Sequence, residues 1–132
     1  MVNPFNIGDV LTHEHIVTAD DAARFESGEV HPVYSTFTLA RDAEWSGRLF
    51  VLRMREEGEE GIGTGITVEH HSPAIPGERV VFAATLKGVE KNEVTTSYEA
   101  RAGARLIASG EQRQKIVRKE KLEALFASLR RV

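Results

Sequence analysis

Residues 37–57 read FTLARDAEWSGRLFVLRMREE, and the places where apolar side chains fall in that run decide the fold. Leu39, Ala40, Ala43, Phe50, Val51 and Met54 recur at steps of three and four residues, the repeat of one face of an α-helix. Ser35, Thr36 and Thr38 stand at its start, where a hydroxyl can cap free amides. Its end dissolves into Glu56-Glu57-Gly58-Glu59-Glu60-Gly61, which favours a stop. The spacing predicts a helix over 37–57, by far the longest in the chain.

Downstream of this helix the period changes from near 3.6 to near two. Residues 62–71, 79–89, 94–101 and 105–117 read as strands, separated by Pro73, Pro76-Gly77, Lys91-Asn92 and Gly103. Gly110, inside the last of them, suggests a bulge or bend. Upstream, residues 9–18 set Val10, Ile16 and Val17 among polar neighbours and predict a half-exposed strand, followed by a loop over 20–31. Leu122, Leu125, Phe126 and Leu129 form one stripe of a short final helix over 119–130. One strand, a long helix and then antiparallel strands is an α+β order in which a curved sheet wraps around a single helix. Residues 1–132 are read as one domain, and the free edges of such a sheet invite pairing between two copies.

Composition narrows the functions. The 132 residues are 41% hydrophobic and 28% charged, as expected of a globular domain. A net charge of -3 and a pI near 6.0 give no basic face for nucleic acid. Cysteine is absent, which removes disulfides, thiolate nucleophiles and thiolate metal sites and leaves oxygen nucleophiles. The first residues lack a basic, then apolar, leader and no run approaches membrane-spanning length, so a cytoplasmic protein with no membrane partner is expected.

Three side chains stand out. Thr36 and Glu44 are a little over two helical turns apart and share roughly one side if Thr36 lies at the helix start, and an adjacent strand can deliver His70 to them. Ala40, Ala43, Gly47 and Val51 flank Glu44 on a face expected to be buried, where a carboxylate needs a partner or a function. Taken singly, each has a plainer account: Thr36 as a helix cap, Glu44 as a solvated charge, His70 as a structural histidine. His71 should point to the opposite side of its strand. His13 and His15 share a strand face and would need a third ligand to hold a metal; an exposed strand edge is the simpler expectation, and no metal is expected. Trp45 is expected in the core or at an interface between copies.

The stretch Gly63-Thr64-Gly65-Ile66-Thr67-Val68-Glu69-His70-His71-Ser72-Pro73-Ala74-Ile75-Pro76-Gly77 resembles that of the fluoroacetyl-CoA thioesterase family, in which a Gly-Thr strand ends in His and a Pro-Gly turn. Thr36 and Glu44-Trp45 stand at the mutual spacing of that family's catalytic threonine and its Glu-Trp pair. The resemblance runs from Gly8-Asp9 to near Ile116. It implies a hotdog fold, an antiparallel sheet wrapped around one long central helix, here with a short C-terminal helix added. It further implies an acyl-CoA thioesterase, a homodimer or higher homo-oligomer with sites between subunits, and no cofactor beyond the coenzyme A of the substrate.

Carried over by position, the resemblance implies that Thr36, Glu44 and His70 are catalytic and that Gly63 lies beside the thioester; Thr64 is expected to bind substrate with it. Phe25 and Tyr34 are expected substrate contacts from the segment preceding Thr36. That segment, residues 22–34, is shorter than the family's lid and has Phe25 and Tyr34 as its only aromatic residues of the Phe, Tyr or Trp kind. A short or medium acyl group is therefore expected in place of fluoroacetyl. Either Thr36 attacks to give an acyl-enzyme, or Glu44 and His70 activate water directly. Arg101, Arg105, Arg113, Lys115 and Arg118 read as a solvated face, one or two of them within reach of CoA phosphates. The competing readings are a non-catalytic acyl-CoA or acyl-carrier binding module and a hotdog enoyl-CoA hydratase.

Overall fold

A computed structural model describes residues 1–25, 28–29 and 31–131, with the side chains of residues 24, 25 and 29 outside that description. Strand β1 (Val10–Ile16) is followed by a single 3-10 turn (Ala19–Asp21) and a two-stranded ribbon, β2 (Arg24–Phe25) with β3 (Gly28–Glu29). Helix α1 (Thr36–Met54) comes next, then β4 (Glu59–Ile66), β5 (Glu69–His70), β6 (Arg79–Glu90), β7 (Glu93–Ala102), β8 (Arg105–Arg118) and α2 (Lys119–Leu129). The main sheet is antiparallel in the order β1-β6-β7-β8-β4, and β5 continues the line of β4 along β8. It curls around α1, which touches β1, β4, β6, β7 and β8. This is the α+β hotdog plan anticipated above.

The helix stays in the sheet because its buried residues recur at helical steps: Leu39, Asp42, Ala43, Ser46, Gly47, Phe50, Val51 and Met54. The core divides along it. Leu39 and Ala43 pack with Tyr34, Phe82, Tyr98 and Ile107 near its start, while Phe50, Val51 and Met54 pack with Leu86, Val94 and Ile116 near its end. Each fully buried large side chain contributes about 1.5–3 kcal/mol from the area it removes from water. Between the two clusters lies a buried polar band of Ser46, Thr96, Gln112 and Gln114. Gly47 lets the helix approach this band: a Cβ there would stand 2.0 Å from Gln112 Oε1.

Three boundaries depart from the sequence expectation. Helix α1 stops at Met54, three residues early, because Arg55 turns to extended backbone (φ -71, ψ 143) and Gly58 takes a positive φ of 81° that its neighbours resist. The loop expected over 20–31 holds the 3-10 turn and the β2–β3 ribbon. The single strand expected over 62–71 starts at Glu59 and is interrupted between β4 and β5. Gly110 is not itself a bulge. It pairs in register with Tyr98, and it is glycine because the Thr67 carbonyl oxygen of the interrupted strand lies 2.0 Å from where a Cβ would be.

Helix α2 buries none of its residues, and Leu125, Phe126 and Leu129 of its apolar stripe are exposed. Among the described residues no helix is long and apolar enough to cross a membrane.

Candidate active site

Thr36 is the first residue of α1, yet it does not cap it. Ser35 does, its Oγ accepting from the Thr38 amide at 3.1 Å. The Thr36 hydroxyl is thus free of the capping role and lies 2.9 Å from His70 Nδ1. The pair sits in a cavity of about 390 Å³ walled by Ala23, Val33, Tyr34 and Phe37, with His31 also lining it. Ser35, Thr36 and Phe37 at the start of α1 line the same cavity, at the helix end where backbone amides lack intrahelical partners and the dipole is positive. His70 is half-buried, and its Nε2 is buried with no hydrogen-bond partner among the described residues. Burial holds the imidazole below its ordinary value, adjacent His71 pushes the same way, and the Ser72 backbone offsets part of the shift. The ring is therefore neutral near pH 7, the form that can accept a proton.

A one-residue irregularity delivers His70 to this position. From Glu59↔Arg118 to Gly63↔Gln114 the β4–β8 pairing keeps one register; from Gly65↔Arg113 through His70↔Ala108 it is displaced by one. Thr64 is the extra residue. In a regular strand Gly63 and His70, an odd number of positions apart, face opposite sides. The bulge turns the chain over, so that Gly63 and His70 both face α1. The glycines record the flip: a Cβ on Gly61 would meet Val51 and one on Gly63 would meet Glu44, both on the helix, whereas one on Gly65 would meet exposed Arg113. Thr64 is exposed, and its hydroxyl donates to the Arg113 carbonyl at 3.3 Å. Expected to bind substrate, it does not line the Thr36–His70 cavity of the single chain.

Glu44 occupies a different place from the one its neighbours suggested. It is exposed, because the helix buries Asp42, Ala43, Ser46 and Gly47 and leaves Glu44 just off that face. Its Oε1 lies 2.3 Å from where a Gly63 Cβ would be, so the missing side chain makes room for the carboxylate. Within the described residues of one chain no hydrogen bond joins Glu44 to Thr36 or His70. Two pairs result: Thr36 with His70, and Glu44 with Gly63. Glu44 also borders a groove of about 440 Å³ with His13, Arg41, Trp45 and Arg48. Trp45 is 42% exposed there, outside the core of the chain. His13 and His15, expected on an exposed strand edge, are not exposed: β1 is an edge strand, but both rings turn toward α1 and are half-buried. Among the described residues no three His, Asp or Glu side chains gather as a metal site.

Of the two aromatic residues expected to meet substrate, Phe25 contributes backbone to β2 and its side chain lies outside the described residues. Tyr34 is fully buried. It walls the cavity and donates its hydroxyl away from it, to Asp42 Oδ2. This belongs to a network that inspection of the sequence missed. The Tyr34 ring stacks on His15 at 5.4 Å, His15 Nε2 is 2.7 Å from Asp21 Oδ2, and Arg41 reaches both Asp21 and Asp42. Burial works against the Asp21 carboxylate, but the Thr18 amide, His15 and Arg41 together hold it below the usual carboxylate range. Burial and then the Asp42 carboxylate push the Tyr34 phenol far up, keeping it a donor. One signal was available: Asp42 stands one turn from Leu39 and one from Ser46, on the face the helix buries.

These features meet known proteins at several points. Residues 17–120 match the family model described as fluoroacetyl-CoA-specific thioesterase. A Thermus thermophilus hypothetical protein, a thioesterase superfamily member, superposes with a TM-score of 0.93 at 39% identity, over 98% of this chain and 96% of that one. A structure of the fluoroacetyl-CoA thioesterase FlK gives a TM-score of 0.87 at 25% identity, over 94% of this chain and 96% of that one. A variant of FlK in complex with fluoroacetate and CoA gives 0.81 at 26% identity, over 89% of this chain and 99% of that one. No curated protein matches the sequence. With the family model covering most of its length and a thioesterase superfamily structure 39% identical across nearly all of it, the chain belongs to the fluoroacetyl-CoA-specific thioesterase family.

Proposed function

We propose that the protein hydrolyses the thioester of a short or medium acyl-CoA, with Thr36 and His70 as its reactive pair and Glu44 and Gly63 completing the site. The observation that carries the reading is the 2.9 Å contact between Thr36 Oγ1 and His70 Nδ1 in a cavity whose remaining walls are largely apolar. A thioester carbonyl placed there meets a hydroxyl, a neutral imidazole and the amides of a helix start, which supply a nucleophile, a base and a site for the oxyanion. In one route Thr36 attacks as His70 takes its proton, CoA leaves as the thiol, and water then releases the acid. In the other, water attacks directly while His70 or Glu44 takes its proton. Both consume one water and yield one acid and one thiol.

The acyl preference rests on the short segment before Thr36 and on its two aromatic residues, one of which turns its hydroxyl into the protein interior. Separation of Glu44 from the Thr36–His70 pair within one chain supports a homodimer in which a site draws on both copies. We place its action in the cytoplasm, on free acyl-CoA, with no cofactor and no nucleic-acid or membrane partner.

Thiol release from a panel of short and medium acyl-CoAs, by the wild type and by His70→Ala, tests this directly. Turnover of at least one substrate, reduced about 100-fold or more by the substitution, is expected. Wild-type protein that binds acyl-CoA and releases no thiol from any of them would be a binding module instead.

A further inference from the structure

We propose that Tyr34 is a positioning residue: by anchoring its hydroxyl on Asp42 it holds Thr36 at hydrogen-bonding distance from His70. The inference rests on the thioesterase reading for its consequence in turnover, though not for the geometry.

Tyr34 stands two residues before Thr36 and is bound to three separate parts of the fold. Its amide donates to the Ala74 carbonyl at 2.8 Å, which ties the approach to α1 to the segment that leaves His70. Its hydroxyl donates to Asp42 Oδ2 on the second turn of the same helix. Its ring lies against His15 of β1. Ser35, between Tyr34 and Thr36, donates its amide to the Asp21 carbonyl at 3.0 Å, and the Thr38 hydroxyl donates to the same oxygen at 2.7 Å.

Thr36 itself is exposed and has His70 as its only side-chain partner among the described residues. Its side chain has no other anchor. Its backbone is set by the first turn of α1 and by Tyr34 and Ser35 just before it, and of these two only Tyr34 reaches both the His70 side and the second turn of the helix. A phenol so deeply buried needs an acceptor, and Asp42, itself buried, supplies it while being braced by Arg41. Rigid support behind a reacting group matters because displacement of about 1 Å can cost about 100-fold in rate.

The test uses the full-length protein and two readouts: kcat and KM on whichever acyl-CoA the wild type turns over best, and the ¹⁵N resonances of the His70 ring, compared among wild type, Thr36→Val and Tyr34→Phe. Tyr34→Phe removes one oxygen from a site it otherwise fills. It is expected to move the His70 Nδ1 resonance in the direction seen for Thr36→Val, to lower kcat about tenfold, and to leave KM within about twofold. Asp42→Ala, which removes the acceptor instead, should do the same and serves if Tyr34→Phe does not fold; Asp42→Asn, whose amide oxygen still accepts, should return kcat toward wild type. His70 resonances in folded Tyr34→Phe that overlay those of the wild type would overturn the proposal, whatever its melting temperature. A wild-type protein without turnover would sink the thioesterase reading and leave the resonance comparison to decide this one.

Discussion

His70 illustrates how one residue's surroundings set its chemistry. Burial is the main cause of its lowered pKa, so the neutral base persists to a pH below the 6.5 of an ordinary histidine. The sign follows: protonation removes the base, so activity is present above the folded-state value and lost as pH falls through it. The kcat/KM profile should therefore show an acidic limb centred below pH 6.5, and that limb should disappear in the residual activity of His70→Gln. A limb centred above pH 6.5 would contradict the assignment. The same residue marks what sequence reading can reach. The contact of Thr36 with His70 is one that the sequence spacing allowed, and His71, expected to point the other way, is exposed just past β5. The role of Ser35 in capping was not legible, because Ser35, Thr36 and Thr38 offer the same hydroxyl chemistry within one turn and only backbone geometry chooses among them.

At the level of elements, helix α1 and strands β6 to β8 were legible because one face of each packs on the core and writes its period into the sequence. What escaped was whatever depends on a neighbour. The helical period places Asp42 on the buried face of α1, but what a carboxylate does there depends on Tyr34, Arg41 and His15 around it. The break between β4 and β5 depends on β8, where Gly110 leaves the Thr67 carbonyl room to turn and accept a hydrogen bond from the Tyr98 hydroxyl at 2.7 Å. A methyl at position 110 would overlap a backbone oxygen, which cannot swing aside as a side-chain tip can. Gly110→Ala should therefore cost about 3 kcal/mol, at the upper end of ordinary overpacking, with a matching fall in the urea midpoint at unchanged m value. Loss of less than about 1 kcal/mol would mean that the break relaxes freely.

For the whole molecule, the two pairs of the site pose a question that one chain does not answer. Thr36 with His70 and Glu44 with Gly63 lie on the same helix and the same sheet edge, yet apart. Under the homodimer proposed above, a second copy would pair along that edge so that Glu44 of one chain serves His70 of the other. Mixing Glu44→Ala with His70→Ala chains should then recover activity well above either parent, up to about half of wild type in the mixed dimers, since one of the two sites would be intact. Mixed dimers no more active than their parents would mean that each site takes Glu44 and His70 from the same chain. Light scattering at twice the 14.6 kDa of the chain is the companion measurement.

The extra residue at Thr64 also bears on how this family member can change over time. From position 65 to position 70 the identity of what faces the helix is set by counting, so the segment behaves like a reading frame. A substitution edits one letter of it. Loss of Thr64 itself would leave Gly63 and His70 an even number of positions apart in a regular strand, with both still facing the helix, whereas loss of a residue with the bulge retained would turn His70 to solvent and bring Glu69 or its replacement inward. Length and bulge are thus coupled along that stretch: a relative that lacks one residue here and still turns its histidine to the helix is expected to carry a regular strand in place of the bulge.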